Sequence, residues 1–386
     1  MTRLHTPPLA SRLPAVGTTI FTVMSALAQQ HDAVNLGQGF PDFDCDPGLI
    51  DAVHTAMRSG QNQYPPMAGV PALREAVAAK IEALYGQRFD AGSEITITAG
   101  ATQAILTIIL AVVQPGDEVI VLDPCYDSYE PNIVLAGGVA VHVPLTPGSF
   151  EPDFARIRAA ISPRTRAIIV NTPHNPSATV WSEAQMRTLA ELLRDTDILV
   201  IADEVYEHMV FDGQAHQSVA RLPELALRSF IVSSFGKTYH VTGWKVGFVA
   251  APAALTAEFR KVHQFNVFTV NTPVQHGLAA YMQDAGHHLG LAAFYQRKRD
   301  LFRDGLAGSR FRLLPCQGSF FQCVDYSAVS DLGEAAFCRW LTAEIGVAAI
   351  PLAAFYQTGF EQGFARFCFA KKDATLRLAL ERLARL

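Results

Sequence analysis

The sequence predicts an α/β fold: a layered domain with helices on both faces of a sheet, followed by a smaller α+β domain. Three observations predict it. Short β-branched runs recur through the middle of the chain, and each is continuously apolar instead of alternating, as in strands covered on both faces. Helical patterns separate most of these runs. After about residue 285 the pattern changes to a long helical stretch, short strands and a closing helix.

In chain order, the strand candidates are 95–98, 118–122, 167–170, 198–201 and 230–233, with 184–193 as an example of the helices between them. Four runs end in a polar cluster: Ala99-Gly100-Ala101-Thr102, Asp123-Pro124, Asn171-Thr172-Pro173-His174-Asn175-Pro176 and Asp203-Glu204-Val205-Tyr206. Ligands of open α/β sheets sit outside the carboxyl ends of the strands, so these clusters are expected to converge on one crevice. The second domain is expected to hold a helix over 289–306, strands around 318–321 and 366–369, and a closing helix over 372–386. No repeat, low-complexity tract or long linker interrupts the chain, so the domains are expected to pack tightly.

Composition narrows the function. A chain of 386 residues exceeds the usual size of a single core, and 49% hydrophobic with 17% charged residues supplies a large core and a subunit interface. A net charge of -5 gives no basic footprint for nucleic acid or anionic membrane, and a small metabolite is the expected partner. The first eight residues lack the pattern of a signal peptide, and the apolar run 104–113 falls short of the roughly 20 residues that span a bilayer. A soluble cytoplasmic protein is the expectation. The cysteines at 45, 125, 316, 323, 338 and 368 form no CxxC pair and the twelve histidines show no ligand-type spacing, so reduced thiols and no metal site are expected.

The segment from Ser233 to Gly247 carries the chemistry. It places Lys237 on a Ser/Gly-rich turn after the apolar run 230–232, with Lys245 eight residues later. An aldehyde cofactor needs a lysine amine as Schiff-base partner, close to hydroxyl and cationic groups that grip a phosphate. The segment resembles the cofactor-anchoring stretch of pyridoxal-phosphate enzymes.

Six further stretches stand in the same order as in one family: Asn35 to Phe43, Asn62-Gln63-Tyr64, Ala99 to Thr102, Asn171 to Pro176, Asp203 to Tyr206, and Arg366. With the lysine segment they make the chain similar, over nearly its whole length, to the class I (fold type I) aminotransferases. Asn-Leu-Gly-Gln-Gly-Phe-Pro-Asp-Phe and Ser-Ser-Phe-Gly-Lys-Thr-Tyr-His resemble in particular the bacterial methionine aminotransferase and kynurenine aminotransferase-like group. The resemblance implies a large domain with a mostly parallel seven-stranded sheet over 45–285, a small domain over 286–386, and an amino-terminal arm with part of the small domain over 1–44.

The resemblance also implies roles. Lys237 is the Schiff-base lysine and proton shuttle, needing a neutral amine that desolvation and a cation such as Lys245 promote. Asp203 pairs with the pyridinium nitrogen of pyridoxal 5'-phosphate, while Tyr206 and Asn175 reach the cofactor's phenolic oxygen. Gly100, Ala101 and Thr102 offer a helix start to the phosphate, with Ser234 and Lys245 completing the cup. Lys245 stands where the commonest pattern has arginine. Tyr126 stacks on the ring, and Cys125 beside it is a bystander. Arg366 grips the substrate α-carboxylate, with Gly37 and Asn175 beside it. Phe21, Tyr64, Phe268 and Phe355 line the side-chain pocket, Tyr64 also within reach of the cofactor. Tyr64 and Phe268 would cross from a second subunit, making a homodimer with shared sites.

The implied activity is ping-pong transfer of an amino group from methionine and other apolar or aromatic amino acids to a 2-oxo acid. The pocket residues include no second arginine for a distal carboxylate, which disfavours dicarboxylic donors. A carbon-sulfur β-lyase acting on cysteine conjugates or cystathionine would use Lys237, Asp203 and Arg366 identically. A cofactor-sensing transcriptional regulator is not expected, because the catalytic pattern begins by residue 35 and leaves no room for a winged helix.

Overall fold

The computed structural model describes residues 9–386. After the short strand β1 (Val34–Asn35), seven strands build one sheet: β2 (Ile95–Thr98), β3 (Glu118–Asp123), β4 (Val139–Pro144), β5 (Thr165–Asn171), β6 (Leu199–Asp203), β7 (Ser229–Ser234) and β8 (Gly247–Ala250). Their order is β2-β8-β7-β6-β5-β3-β4, and β8 alone runs antiparallel to its neighbours. The seven-stranded sheet of a fold type I aminotransferase is thus present.

Successive strand residues point to opposite faces, and the core divides accordingly. Val119, Val121, Ile169, Ile201, Phe230 and Val232 pack under the helices Ala101–Val112 and Ala253–Asn266. Ile120, Leu122, Ile168, Val170, Val200 and Ile231 join the larger cluster on the other face. Full burial of such side chains contributes about 1.5–3 kcal/mol each. Continuous apolar runs were therefore the right signal for these strands. Two strands fall outside the expected set: Val139–Pro144, which lies at the sheet edge and is mostly half-exposed, and Gly247–Ala250, which does carry a short buried apolar run.

The antiparallel β8 matters for the crevice. Its first residue pairs with Thr98 on one side and Ser234 on the other, so its amino end lies among the carboxyl ends of β2 and β7. Lys245, just before it, is thereby delivered to the same place as Gly100 and Ser234. The packing there requires glycine: a Cβ on Gly247 would stand 2.5 Å from the Ser233 carbonyl oxygen. Behind the sheet, the buried carboxylate of Glu207 accepts from Lys80, from the Tyr85 hydroxyl at 2.6 Å and from the Ser233 hydroxyl at 2.6 Å. This ties the segment after β6 to β7.

Beyond the large sheet come β9 (Arg312–Leu313), β10 (Phe321–Asp325), β11 (Val347–Ala348), β12 (Ile350–Pro351) and β13 (Phe364–Cys368). Four of them form an antiparallel sheet in the order β12-β13-β10-β9, while β11 pairs in parallel with β1. Arg366 sits mid-strand in β13, opposite Cys323 on one side and Ile350 on the other.

Three expected boundaries need correction. The strand expected around 318–321 begins only at Phe321, because Gly318 and Ser319 turn to dock on Met209 and Val210, with Ser319 in the left-handed region at φ 60°. The helix expected over 289–306 is two, Gly286–Leu289 and Leu291–Gly305, divided at Gly290. The closing helix is Asp373–Leu383, with the Lys372 amide ahead of it donating to Asp42. No helix among the described residues is long and apolar enough to cross a membrane.

Candidate active site

A cavity of about 150 Å³ opens at the carboxyl ends of the parallel strands. Ala101, Thr102, Tyr126, Asn175, Asp203, Tyr206, Ser234, Lys237 and Lys245 all line it. Three of the four polar clusters converge as expected. The fourth does so only through Tyr126, since Asp123 turns away and receives His142 at 2.9 Å.

One end of the cavity suits an anion. Gly100 precedes the helix Ala101–Val112 without any side-chain cap, leaving its first N–H groups free, and the helix dipole adds positive charge there. Gly100 has φ 80°, and a Cβ on it would stand 3.4 Å from the Lys245 ammonium. That is an ordinary contact, so it is the positive φ, not the space beside Lys245, that favours glycine here.

Asp203 ends β6 and is buried. Burial pushes its carboxyl up to about 6, against the Tyr129 hydroxyl, the Val205 amide and Lys237, which favour the charged form. Tyr129 donates to Oδ2 at 2.6 Å, whereas Oδ1 has only the Val205 N–H at 3.4 Å. A buried carboxylate with an oxygen so weakly engaged fits a cationic ring nitrogen. At this position Asp203 is part of a strand, not the cap of a following helix.

Lys237 lies in the turn Phe235–Thr238 directly after β7. Its ammonium donates to the Gly39 carbonyl at 3.1 Å and lies 5.1 Å from the Phe320 ring and 5.5 Å from Tyr206. Burial lowers its pKa to about 8, helped by the Arg366 and Lys245 cations and opposed by Asp203. The sign gives a test. In the ligand-free chain, acylation of Lys237 by a neutral reagent should rise with pH and reach half its maximum near 8, read by mass spectrometry of the peptide. A midpoint near the ordinary value of 10.5 would contradict this environment.

Arg366 is buried to 1% exposure, yet its hydrogen bonds go to neutral oxygens: Asn175 Oδ1 at 2.6 Å and the Gly37 carbonyl at 3.1 Å. Its Nε has no partner. Among the described residues it forms no ion pair with an acid, on the surface or elsewhere. The rings of Phe321, Phe355 and Phe21 flank it at 3.9, 4.9 and 5.4 Å. A guanidinium taken from water without an anion is costly, so the arrangement calls for one from outside. Gly37 serves here through its carbonyl, because its N–H is committed to Asn35 Oδ1. Asn175 spends its carbonyl on Arg366, which leaves its amide N–H groups to donate. Its backbone N–H is held by Asn171, and the Asn175-Pro176 bond is cis.

Of the expected site residues, Gly37, Gly100, Arg366, Phe21 and Phe355 stand beside the lining of this cavity, and Tyr64 and Phe268 lie apart from it. Tyr64 and Phe268 pair edge to face at 5.2 Å on the surface, 81% and 41% exposed. Conversely, Tyr129, Phe320, Phe321 and the side-chain role of Asn171 were not foreseen. Tyr129 could have been found from its place three residues after Tyr126, at the start of the helix Tyr129–Leu135, whereas the phenylalanines arrive through long-range packing. Also unforeseen is that the ligand atoms of Asp123, Cys125 and His142 lie within 4.8 Å of one another. Burial pushes the Cys125 thiol up, reinforced by Asp123, which keeps it protonated.

The family model for aminotransferase class I and II matches residues 31–383. The chain is 54% identical over 377 residues to the methionine aminotransferase of Escherichia coli K12, covering 97% of this chain and 98% of that protein. It superposes with a TM-score of 0.97, at 53% identity, on a crystal structure from Escherichia coli identified with a methionine aminotransferase function, covering 99% and 100% of the two chains. The N-succinyldiaminopimelate aminotransferase structure from Mycobacterium tuberculosis follows at 39% identity and TM-score 0.93, covering 98% and 100%. The sequence matches and the fold thus agree on one assignment, and the chain belongs to the class I and II aminotransferases, a family of pyridoxal-phosphate-dependent enzymes.

Proposed function

We propose that this aminotransferase takes methionine and other apolar or aromatic amino acids as donors, holds pyridoxal 5'-phosphate in the cavity around Lys237, and works as a homodimer. The observation that carries the reading is Arg366, a buried guanidinium without an acid of its own, in the same site as a lysine whose amine is poised near neutrality.

When bound, pyridoxal phosphate supplies an aldehyde and an electron-accepting ring. The amides at the start of the helix Ala101–Val112, with Ser234 and Lys245, would hold its phosphate. Lysine in place of arginine gives charge without a bidentate fork. Tyr126 would stack on the ring, Asp203 would pair with its nitrogen, and Tyr206 with the Asn175 amide would donate to its phenolic oxygen. Lys237 would anchor the aldehyde carbon and, once displaced by the substrate amine, its neutral Nζ would carry a proton from the substrate Cα to that former aldehyde carbon. Arg366 fixes the α-carboxylate and thereby which Cα bond stands perpendicular to the ring. Phe21 and Phe355 give an apolar pocket, which separates similar side chains by only about 1–3 kcal/mol, so specificity is broad.

The exposed Tyr64–Phe268 pair is the part that a second subunit would use, crossing into its partner's pocket. The chain divides at the boundaries given above, with 1–44 as arm and part of the small domain, of which 1–8 lie outside the described residues, 45–285 as the cofactor domain and 286–386 as the small domain.

The experiment is a spectral titration of the holoenzyme with single amino acids and no oxo acid, with an ammonia assay in parallel. Methionine and phenylalanine are expected to bleach the yellow form, releasing one equivalent of oxo acid and no ammonia. Continuous ammonia release with the colour retained would identify a β-lyase instead.

A further inference from the structure

A second cavity of about 350 Å³ adjoins the first and shares Tyr126 with it. Its near wall is apolar, formed by Phe21 and Phe355, edge to face at 5.8 Å, the same rings that flank Arg366. A substrate with its carboxylate on Arg366 and its amine at Lys237 can extend its side chain past these rings into this space.

The far wall is different. Asp127, Glu130 and His142 line it, and Asp123 stands behind His142. His142 has Nδ1 2.9 Å from Asp123 Oδ1 and Nε2 3.7 Å from Glu130 Oε2, so the imidazole stands between two carboxylates. Asp123 also accepts the Gln357 N–H at 3.2 Å. Against these three carboxylates, the lining among the described residues holds no lysine or arginine.

We propose that Asp127 and Glu130 form a charge-selective wall that turns away substrates with a second carboxylate, so that the preferred amino acceptor is a neutral 2-oxo acid. The proposal rests on the substrate orientation inferred above. A distal carboxylate entering this space meets like charge from the half-buried Glu130 and the exposed Asp127, while a neutral chain of equal length meets the same phenylalanines without repulsion.

The test compares kcat/KM for 2-oxoglutarate and 2-oxohexanoate on the holoenzyme with methionine as donor. The two acceptors have similar length, and only one carries a second charge. The wild type is expected to favour 2-oxohexanoate by at least about tenfold, and the Asp127→Asn, Glu130→Gln double variant should move that ratio at least about fivefold toward 2-oxoglutarate. Because both rates come from one protein sample, partial unfolding cancels. A wild-type ratio near one, or a ratio that the double variant leaves unmoved, overturns the wall. If the variant does not fold, the wild type alone decides. Raising ionic strength from about 0.01 to about 0.15 M screens exposed charges and should shift the ratio toward 2-oxoglutarate, and a ratio independent of salt overturns the proposal. Failure of the underlying orientation has its own signature, in which Arg366→Ala leaves the KM of both acceptors unchanged.

Discussion

Lys237→Ala is expected to lower turnover by at least about a thousandfold with every amino acid, since it removes both the covalent anchor and the acid–base group. The visible absorbance band of the bound cofactor should vanish with it. Stability should hardly suffer. The ammonium is buried against Phe320 and Tyr206 with a single described hydrogen bond, to Gly39, so its loss removes a desolvated cation instead of a packed side chain. Thermal melting therefore separates a chemical defect from a folding one. Retained amino transfer in a folded Lys237→Ala protein would overturn the assignment of this residue.

The second large effect is expected for Arg366→Ala. Truncating one member of a buried, hydrogen-bonded charge pair costs about 2–5 kcal/mol, or roughly 30- to 4,000-fold in kcat/KM. Every amino donor shares the α-carboxylate, so KM should rise alike for methionine, phenylalanine and glutamine. A loss confined to one class of side chain would give Arg366 a specificity role instead. Arg366→Lys should recover only part of the effect, because an ammonium cannot reproduce the planar fork that now holds both Asn175 and Gly37.

The residues legible in the sequence share one property. Gly100, Asp203, Asn175 and Lys237 each sit at or just beyond the end of a strand buried on both faces, so a local apolar run announces the position and a polar residue after it announces the chemistry. The strands themselves were legible for the same reason, apart from β4 and β8. What lay beyond reading depends on distant partners. Phe320 and Phe321 meet Lys237 and Arg366 only because the Gly318-Ser319 turn docks on Met209. His142 joins Asp123 from an edge strand whose pattern is neither continuously apolar nor cleanly alternating.

The position of β8 governs the order in which the molecule can assemble. The five strands from β3 to β7 pair among themselves, but β2 reaches the sheet only through β8, whose residues follow it by about 150 positions. At a synthesis rate of about 5–20 residues per second, β2 waits roughly 8–30 s for its partner. The helix start at Gly100 follows β2, and Lys245 precedes β8. The proposed phosphate cradle is complete only when both strands have docked, so it would form late in folding.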